Sequence, residues 1–404
     1  MADDLTAALL HYSMTPELAL PRAMSAQLMA IGPAGYVSPV WADWTVLPGL
    51  SIYYDALYTG DLTYAASQFD SLLKNHTYTW LQGANGLISA PWLSALVDTS
   101  GGSNDGYKKT PTSAVVNAWA YAGMRAFAQL GRWLGRINDA EGLEASAAAL
   151  KEGFTSFLFN GTSAVCDGLC ALQPHTAVHS TFYALYAGLA RGNTSLTQAL
   201  ASYVRARALE NTQLGVPCGA YPVQFLLAAL YEDGWDHGMA AYAVLTATTQ
   251  HSWMNMMTAF NATTTMECWL PQELPNLSFS HIWSSSPGII IPRFFFGLNP
   301  TSPAFATLDV RPQPGPVLQG SASLPTTRGA IEIGFQQTSP GSPQGCFSLS
   351  LTLPGGVLAR AFLPLWGSIS PKISLDGVPT TGIVENDYVL IENVVPGAHV
   401  ISTC

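Results

Sequence analysis

The chain has 404 residues, a formal net charge of −10 and only 16 lysines and arginines. So few basic residues disfavour nucleic acid as a partner, because binding to phosphates needs a cationic face. With 48% hydrophobic and 10% charged residues the chain can bury a large core, and its length suggests two domains or one domain with an appendage. No apolar run is long enough to predict a membrane-spanning helix. We therefore expect a folded protein with neither nucleic acid nor membrane as a partner.

Apolar residues at helical spacing recur through most of the chain. The turns YTGD at 58–61 and EDGWD at 232–236 each provide a glycine to end one helix and an aspartate to cap the next. No fixed sequence period appears, which favours a toroid of paired helices over a solenoid. The predicted helices lie near residues 3–12, 16–31, 43–58, 61–77, 112–134, 138–158, 176–191, 196–208, 220–232, 236–249 and 281–295.

The pattern changes after about residue 300. From TLDVRPQPG onward, short alternating segments such as GAIEIGF, CFSLSLTL, YVLIENV and HVIST are separated by proline and glycine turns. Helices first and strands second indicate two segregated units. We predict a helical toroid over residues 1–300, followed by a small antiparallel β domain over residues 301–404.

Three long loops, at 78–111, 159–175 and 259–281, are expected to gather at one end of the toroid. The last loop contains Glu267 between Met266 and the pair Cys268 and Trp269. Apolar neighbours would partly desolvate this carboxylate and raise its pKa, which suits proton transfer. The plainer interpretation is a loop glutamate that accepts backbone hydrogen bonds.

The first of these loops places Trp92, Asp98, Asp105 and Tyr107 close together in sequence. Aromatic faces beside carboxylate edges suit a sugar, which offers apolar ring faces and hydroxyl groups. A glycine-rich surface loop whose aspartates form turns is an equally good interpretation.

Trp41, Asp43 and Trp44 stand at the start of a predicted helix. Aromatic residues in that position are more often core than ligand platform, but these three are kept as candidate substrate contacts.

The sequence indicates no cofactor or metal. His175 and His179 share a helix face at the i, i+4 spacing of zinc sites, but no acid lies between them and no third ligand is evident. CDGLC at 166–170 lacks the C-x-x-C spacing of redox pairs, so a local disulfide is the plainer expectation. Signatures of acyl transfer, phosphate loops and dinucleotide binding are missing.

Six cysteines and five N-x-[ST] sequons, at Asn75, Asn160, Asn193, Asn261 and Asn276, together favour a secretory environment. The segment MADDLTAALLHYSM has no basic segment before an apolar one, so a signal peptide is not visible in this chain. Within the β domain the preferred pairing is Cys346 with Cys404.

Nearly the whole chain resembles the inverting α-L-rhamnosidases. The likeness rests on TTTMECWLPQELPNLSFSHIW at 263–283 and on YTGDLTYAA, NDGYKKTPTSAVVNAWAYAGM, DGLCALQPHTAVHSTFYALYAGLA and VPCGAYPVQFLLAALYEDGWDHGM, which occur in the family's order. It implies an (α/α)6 barrel of helical hairpins, without its first helix here, followed by a β-sandwich. It also implies that Glu267 is the general base. His179, Trp269, His281 and Trp283 are further candidate substrate-binding side chains.

Departures from the family pattern affect function more than fold. The family's general acid lies in an acidic R-E-R-x-G-W-x-G-D type stretch, and MADDLTAALLHY resembles the chain that immediately follows it. The resemblance therefore implies that the matching acid is absent from this chain. The family's Asp-Trp sugar contact reads Asp98-Thr99, and its arginine before DGY is Asn104. Inversion needs two carboxyl groups roughly 6.5–9.5 Å apart, and Asp98 and Asp105 are the expected replacements for the missing one.

These residues and motifs support two functions. The first is an inverting glycoside hydrolase acting on α-L-rhamnosides or related deoxy-sugar glycosides. The alternative is a non-hydrolytic barrel that binds an apolar natural-product intermediate and catalyses its dehydration, cyclisation or rearrangement.

Overall fold

The computed structural model describes residues 2–17, 19–30, 41–89, 95–98, 104–210, 212–232 and 234–404. Its described helices run in chain order: α1 (Ala2–Met14), α2 (Ala19–Ala30), α3 (Leu47–Thr59), α4 (Thr63–Asn75), α5 (Ala114–Trp133), α6 (Ile137–Phe157), α7 (Val178–Ala187), α8 (Thr194–Ala208), α9 (Val223–Glu232), α10 (Met239–Leu245), α11 (Trp253–Phe260) and α12 (Pro287–Ile290). A π-helical turn, Ile291–Phe295, continues α12. No described helix is both long and apolar enough to cross a bilayer.

Six of these helices form a closed inner ring. Contacts run from α1 to α3, α5, α7, α9 and α12, and α12 contacts α1 again. The helices α2, α4, α6, α8 and α10 lie outside the ring, each against the inner helix before it in the chain. Apolar faces of both layers are buried together, as expected for amphipathic helices in two concentric shells. The predicted (α/α)6 barrel of hairpins is confirmed.

The turns between paired helices behave as the sequence indicates. Gly60 ends α3 in the left-handed conformation, with φ at 76°, and the Asp61 carboxylate accepts the backbone N–H of Thr63 at the start of α4. In the second turn Asp236 accepts the N–H groups of Gly238 and Ala240 at the start of α10. Both aspartates satisfy donors that the first turn of a helix leaves unpaired.

Helix α11 is absent from the sequence-based prediction. It has only eight residues, and only Met256 is buried. Its ends are nevertheless well defined, because Ser252 Oγ accepts the N–H of Asn255 at 3.1 Å and Asn261 adopts the left-handed conformation. So short a helix carries too little apolar periodicity to be recognised, and its caps determine its limits.

The remaining chain forms a sandwich of two sheets. Its strands are β1 (Leu298–Pro300), β2 (Thr307–Val310), β3 (Gln319–Thr326), β4 (Gly329–Thr338), β5 (Cys346–Leu353), β6 (Leu358–Pro364), β7 (Ser374–Leu375), β8 (Val378–Pro379), β9 (Ile383–Glu385), β10 (Tyr388–Val394) and β11 (Gly397–Ser402). One sheet has the order β1-β2-β6-β10-β9 and the other β3-β4-β5-β11-β7-β8. All pairs are antiparallel except β2 with β6. The β-sandwich expectation is confirmed.

The sandwich is joined to the barrel by buried polar contacts. His237, which precedes α10, bonds the Asp387 carboxylate at 2.6 Å and the Tyr388 hydroxyl at 2.9 Å. The Gln313 amide donates to the carbonyl of Tyr231 at the end of α9. These contacts place the start of β10 and the segment after β2 against the end of the barrel at which α9 terminates. The domain limits at residues 300 and 301, and the missing first helix, stay predictions.

Two disulfides are present, Cys166–Cys170 and Cys346–Cys404. Both pairings agree with the expectations from the sequence. The second joins the start of β5 to the chain end across 58 positions, so it removes considerable conformational freedom from the unfolded chain.

We expect the double substitution Cys346→Ser and Cys404→Ser to lower the free energy of unfolding by about 4 kcal/mol, because the cross-link closes a long loop. Thermal melting followed by circular dichroism measures the effect. The matched control is Cys166→Ser with Cys170→Ser, which opens a loop of separation 4 and should cost less. Equal melting temperatures for the two double variants would contradict the prediction.

Candidate active site

The loops before the inner helices meet at one mouth of the barrel. Each inner helix enters from this side, so the segments ahead of α3, α5, α7, α9 and α12 and the first turn of α1 come together there. Direct contacts join them: Asp98 bonds His179 on α7, and Asp3 on α1 lies against His281 ahead of α12. All six helix N-termini therefore direct partial positive charge toward this mouth.

Glu267 lies in a loop that is paired with the chain just before α12. Its N–H donates to the carbonyl of Ser278 at 3.0 Å, and its Oε2 accepts the N–H of Ser278 at 2.9 Å. Thr265 and His281 are paired by a backbone bond of 2.8 Å. No described residue donates a hydrogen bond to Oε1 of Glu267. The carboxylate is half-buried, with one oxygen fixed by the backbone and the other available.

Four aromatic rings form a continuous row at the same mouth. The ring of Trp283 lies 4.3 Å from that of His281 and 5.4 Å from that of Tyr221. Tyr221 in turn meets the edge of Trp44 at 6.1 Å. The structure thus brings together three of the predicted substrate contacts, Trp44, His281 and Trp283. Tyr221 joins them although no sequence pattern singled it out.

The tautomer of His281 follows from its contacts. Its Nδ1 accepts the N–H of Trp283 at 3.3 Å, so in the neutral ring the proton lies on Nε2. Nε2 faces the Asp3 carboxylate at 3.3 Å. Asp3 is 41% exposed, so this acid of the first inner helix reaches the mouth. Sequence reasoning missed Asp3; its position in the first turn of α1 was the available signal.

Asp98 is completely enclosed. Its Oδ2 accepts both His179 Nε2 at 2.8 Å and the N–H of Gly219 at 2.7 Å, and the side chains of Asp98 and His179 are both 0% exposed. Their bond connects the loop before α5 to α7 and to the segment ahead of α9. His175 bonds a different carboxylate, Asp167, so the two histidines at i, i+4 do not share a ligand.

Asp43 stabilises the segment that carries Asp98. Its two oxygens accept the N–H groups of Leu96 and Val97, each at 2.9 Å, and Val97 adopts a left-handed backbone with φ at 66°. Burial raises the pKa of the Asp43 carboxyl above its usual range, although the two N–H donors oppose that effect. Asp43 therefore orients the loop and is itself shielded from solvent.

Asp105 and Tyr107 are held by neighbouring elements. Asp105 Oδ2 accepts the N–H of Val178 at the start of α7 at 2.8 Å, and Oδ1 accepts Arg207 Nη2 at 2.5 Å. The buried Tyr107 hydroxyl bonds Ser113 Oγ at 2.7 Å, and burial raises the pKa of Tyr107 above its usual range. Asp167, which sequence reasoning also missed, accepts the N–H groups of Lys108 and Ala177.

The last predicted contacts are dispersed. Trp269 is fully buried, donates to the carbonyl of Cys218 at 2.8 Å and packs edge-on against Trp253. Trp41 is half-buried under the Lys109 ammonium, which lies 5.0 Å from its ring. Trp92 lies outside the described residues. No group of three or more metal-ligating side chains occurs within the described parts of the chain.

Six inner helices in a closed ring, five of them paired with a described outer helix, together with carboxylates and aromatic rings at one mouth and a β-sandwich behind, define the six-hairpin glycosidase fold. The family model for the bacterial alpha-L-rhamnosidase six-hairpin glycosidase domain matches residues 14–293. That span is more than half of the chain, which therefore belongs to this family. No curated protein matches the chain.

Solved structures share the fold at low sequence identity. The alpha-L-rhamnosidase from Dictyoglumus thermophilum has a TM-score of 0.76 at 16% identity, over 99% of this chain and 45% of its own. The Streptomyces avermitilis alpha-L-rhamnosidase complexed with L-rhamnose has a TM-score of 0.71 at 18% identity, and the match covers 100% of this chain and 38% of that protein. The GH78 family rhamnosidase of Bacillus sp. GL1 has a TM-score of 0.65 at 20% identity, and the match covers 89% of this chain and 39% of that protein. This chain thus spans less than half the length of these proteins.

Proposed function

We propose that the protein hydrolyses α-L-rhamnosides or related deoxy-sugar glycosides with inversion, and that Glu267 is the general base. The observation that carries this proposal is the orientation of Glu267. One oxygen is held by the Ser278 N–H, and the other is available to take a proton from water. A fixed carboxylate reduces the reorganisation that proton transfer requires.

The aromatic row supports a sugar as the ligand. Trp44 and His281 are half-buried, and the buried rings of Tyr221 and Trp283 pack between them. A deoxy-sugar offers a methyl group and C–H faces to partly exposed aromatic rings. The Streptomyces avermitilis protein of the same fold was solved with L-rhamnose. Neither the comparisons nor the described side chains favour the non-hydrolytic alternative.

The second carboxyl group must reach the leaving oxygen. Asp98 is enclosed with His179, and Asp105 bonds Arg207 and the start of α7. Asp3 is more exposed and lies against His281. We therefore add Asp3 to Asp98 and Asp105 as a candidate general acid, because its partly exposed side chain at the mouth is accessible to a substrate.

The activity is tested by incubating the purified chain with 4-nitrophenyl α-L-rhamnoside and following the anomeric proton by NMR. Release of β-L-rhamnose as the first product supports the proposal, because inversion reverses the anomeric configuration. Release of the α-anomer would refute inversion. Absence of release across a panel of aryl glycosides would refute hydrolysis by this chain.

The general acid is identified by leaving-group dependence. We expect Asp3→Asn to lower kcat/KM on an alkyl rhamnoside by about 10²–10³, and much less on the 4-nitrophenyl substrate, because a good leaving group departs without protonation. Asp98→Asn and Asp105→Asn should affect both substrates equally if these acids only support the loop. If Asp98→Asn or Asp105→Asn, and not Asp3→Asn, slows hydrolysis of the alkyl rhamnoside selectively, that other aspartate is the general acid.

We also propose export through the secretory pathway. Of the sequon asparagines, Asn160, Asn193, Asn261 and Asn276 are exposed, so their side chains are accessible to glycan transfer. The two disulfides suit an oxidising compartment.

A further inference from the structure

A cavity lies at the end of the barrel opposite the mouth that carries Glu267. It measures about 590 Å³ and is lined by the C-terminal ends of the inner helices α3, α5, α7 and α9 and by the π turn after α12. On the other side it is lined by Asn299 of β1, Asp309 of β2 and Gln313 in the segment after β2. Its volume is within the range of small-molecule sites.

The lining of this cavity is cationic. Arg125, Arg191, Arg293 and Arg311 face it, against two acids. Both acids are engaged: Glu232 forms a bidentate pair with Arg191. Asp309 forms another with Arg360. Three guanidinium groups thus remain without a carboxylate partner among the described residues, in a protein whose formal net charge is −10.

Two of these arginines also have unused buried donors. The Nε atoms of Arg293 and Arg311 are buried and have no hydrogen-bond partner within the described chain. Aromatic rings hold the guanidinium groups: Arg311 lies 4.2 Å from the Tyr388 ring and Arg293 lies 5.6 Å from the Tyr54 ring. The protein covers these Nε atoms, so an anion in the cavity would meet the terminal Nη groups of the guanidinium side chains.

The ends of the inner helices do not account for this charge. Helix C-termini carry partial negative charge that attracts cations, but they leave the two Nε donors unpaired. Burial, and next the charges of Arg125 and Arg191, lower the pKa of nearby Lys151 below its usual range. A lowered lysine pKa is expected where positive charges are in excess, because they disfavour a further ammonium ion.

We propose that this cavity binds a small organic anion carrying phosphate, sulfate or carboxylate groups. Its oxyanions would pair with Arg125, Arg293 and Arg311, since guanidinium groups bind such groups through paired N–H donors. Its apolar part would lie on Tyr53 and Tyr186, which also line the cavity. The site is separate from the mouth that carries Glu267, so it does not depend on the proposed hydrolysis.

The probes are inorganic phosphate, sulfate, citrate and glucose 6-phosphate, titrated into the full chain by calorimetry and thermal shift. Sodium chloride at matched ionic strength is the salt control. We expect saturable binding of at least one oxyanion and a rise in Tm that chloride does not reproduce. Comparison of citrate with the phosphates and sulfate distinguishes carboxylate from phosphate or sulfate chemistry.

Arg125→Gln is the informative variant, because Arg125 is exposed on α5 and its loss should not impair folding. We expect at least a tenfold weaker affinity for the bound probe and unchanged glycoside hydrolysis. Arg132→Gln, on the same helix but paired with Glu144, is the matched control and should bind as the wild type does. Absence of saturable binding with all four probes, or equal losses in both variants, would overturn the proposal.

Discussion

Glu267→Gln is expected to lower kcat for rhamnoside hydrolysis by about 10²–10⁴ while leaving the fold intact. Glutamine has nearly the same shape and can still accept the Ser278 N–H that holds Oε2. It cannot take a proton from water, so the loss should fall on kcat with little change in KM. Initial rates on 4-nitrophenyl α-L-rhamnoside, with circular dichroism for folding, measure the effect.

The control for this substitution is Glu141→Gln, on the exposed surface of α6. It removes the same charge away from the barrel mouth and should leave the rate unchanged. Azide offers a second check, because an anionic nucleophile needs no deprotonation and should form a glycosyl azide in the Glu267→Gln variant. If that variant keeps wild-type activity, Glu267 is not the base.

Asp98→Ala is expected to lower the free energy of unfolding by about 2–5 kcal/mol, because His179 Nε2 and the Gly219 N–H lose their acceptor inside the protein. The corresponding fall in Tm is roughly 2–6 °C for a protein of this size. Thermal melting by differential scanning calorimetry measures it.

The matched control is Glu144→Ala, which breaks the exposed pair with Arg132. Surface pairs contribute little because water competes for both groups, so we expect no measurable change in Tm. The substitution Asp98→Asn retains one carbonyl acceptor, so its Tm should lie between those of Asp98→Ala and Glu144→Ala. A stability of Asp98→Ala equal to that of Glu144→Ala would show that the buried pair is unimportant.

Most of the fold could be predicted because its signals are local. Long helices such as α5 and α6 repeat apolar residues at helical spacing, and the glycine and aspartate turns mark where paired helices meet. Strands β4 and β5 alternate buried and exposed residues. Helix α11 escaped prediction because eight residues contain little periodicity.

The site was harder to predict because its contacts join residues far apart in sequence. Glu267 is recognisable from its sequence neighbours and a family pattern. For Asp3 the sequence offers only its place in the first turn of α1, and its contact with His281, 278 positions away, exists only in the folded chain. Tyr221 similarly meets Trp44 and Trp283 only in the folded chain. Trp269 is a candidate from its place beside Glu267, but tertiary packing against Trp253 determines its burial.

The closure of the inner ring by α1 and α12 has a consequence for biosynthesis. The two helices contact each other, although α1 ends at Met14 and α12 begins at Pro287. A ribosome adding roughly 5–20 residues per second needs tens of seconds to make the intervening chain. During that time the apolar side of α1 lacks its final neighbour, and transiently exposed apolar surface of this kind is prone to aggregation until the ring can close.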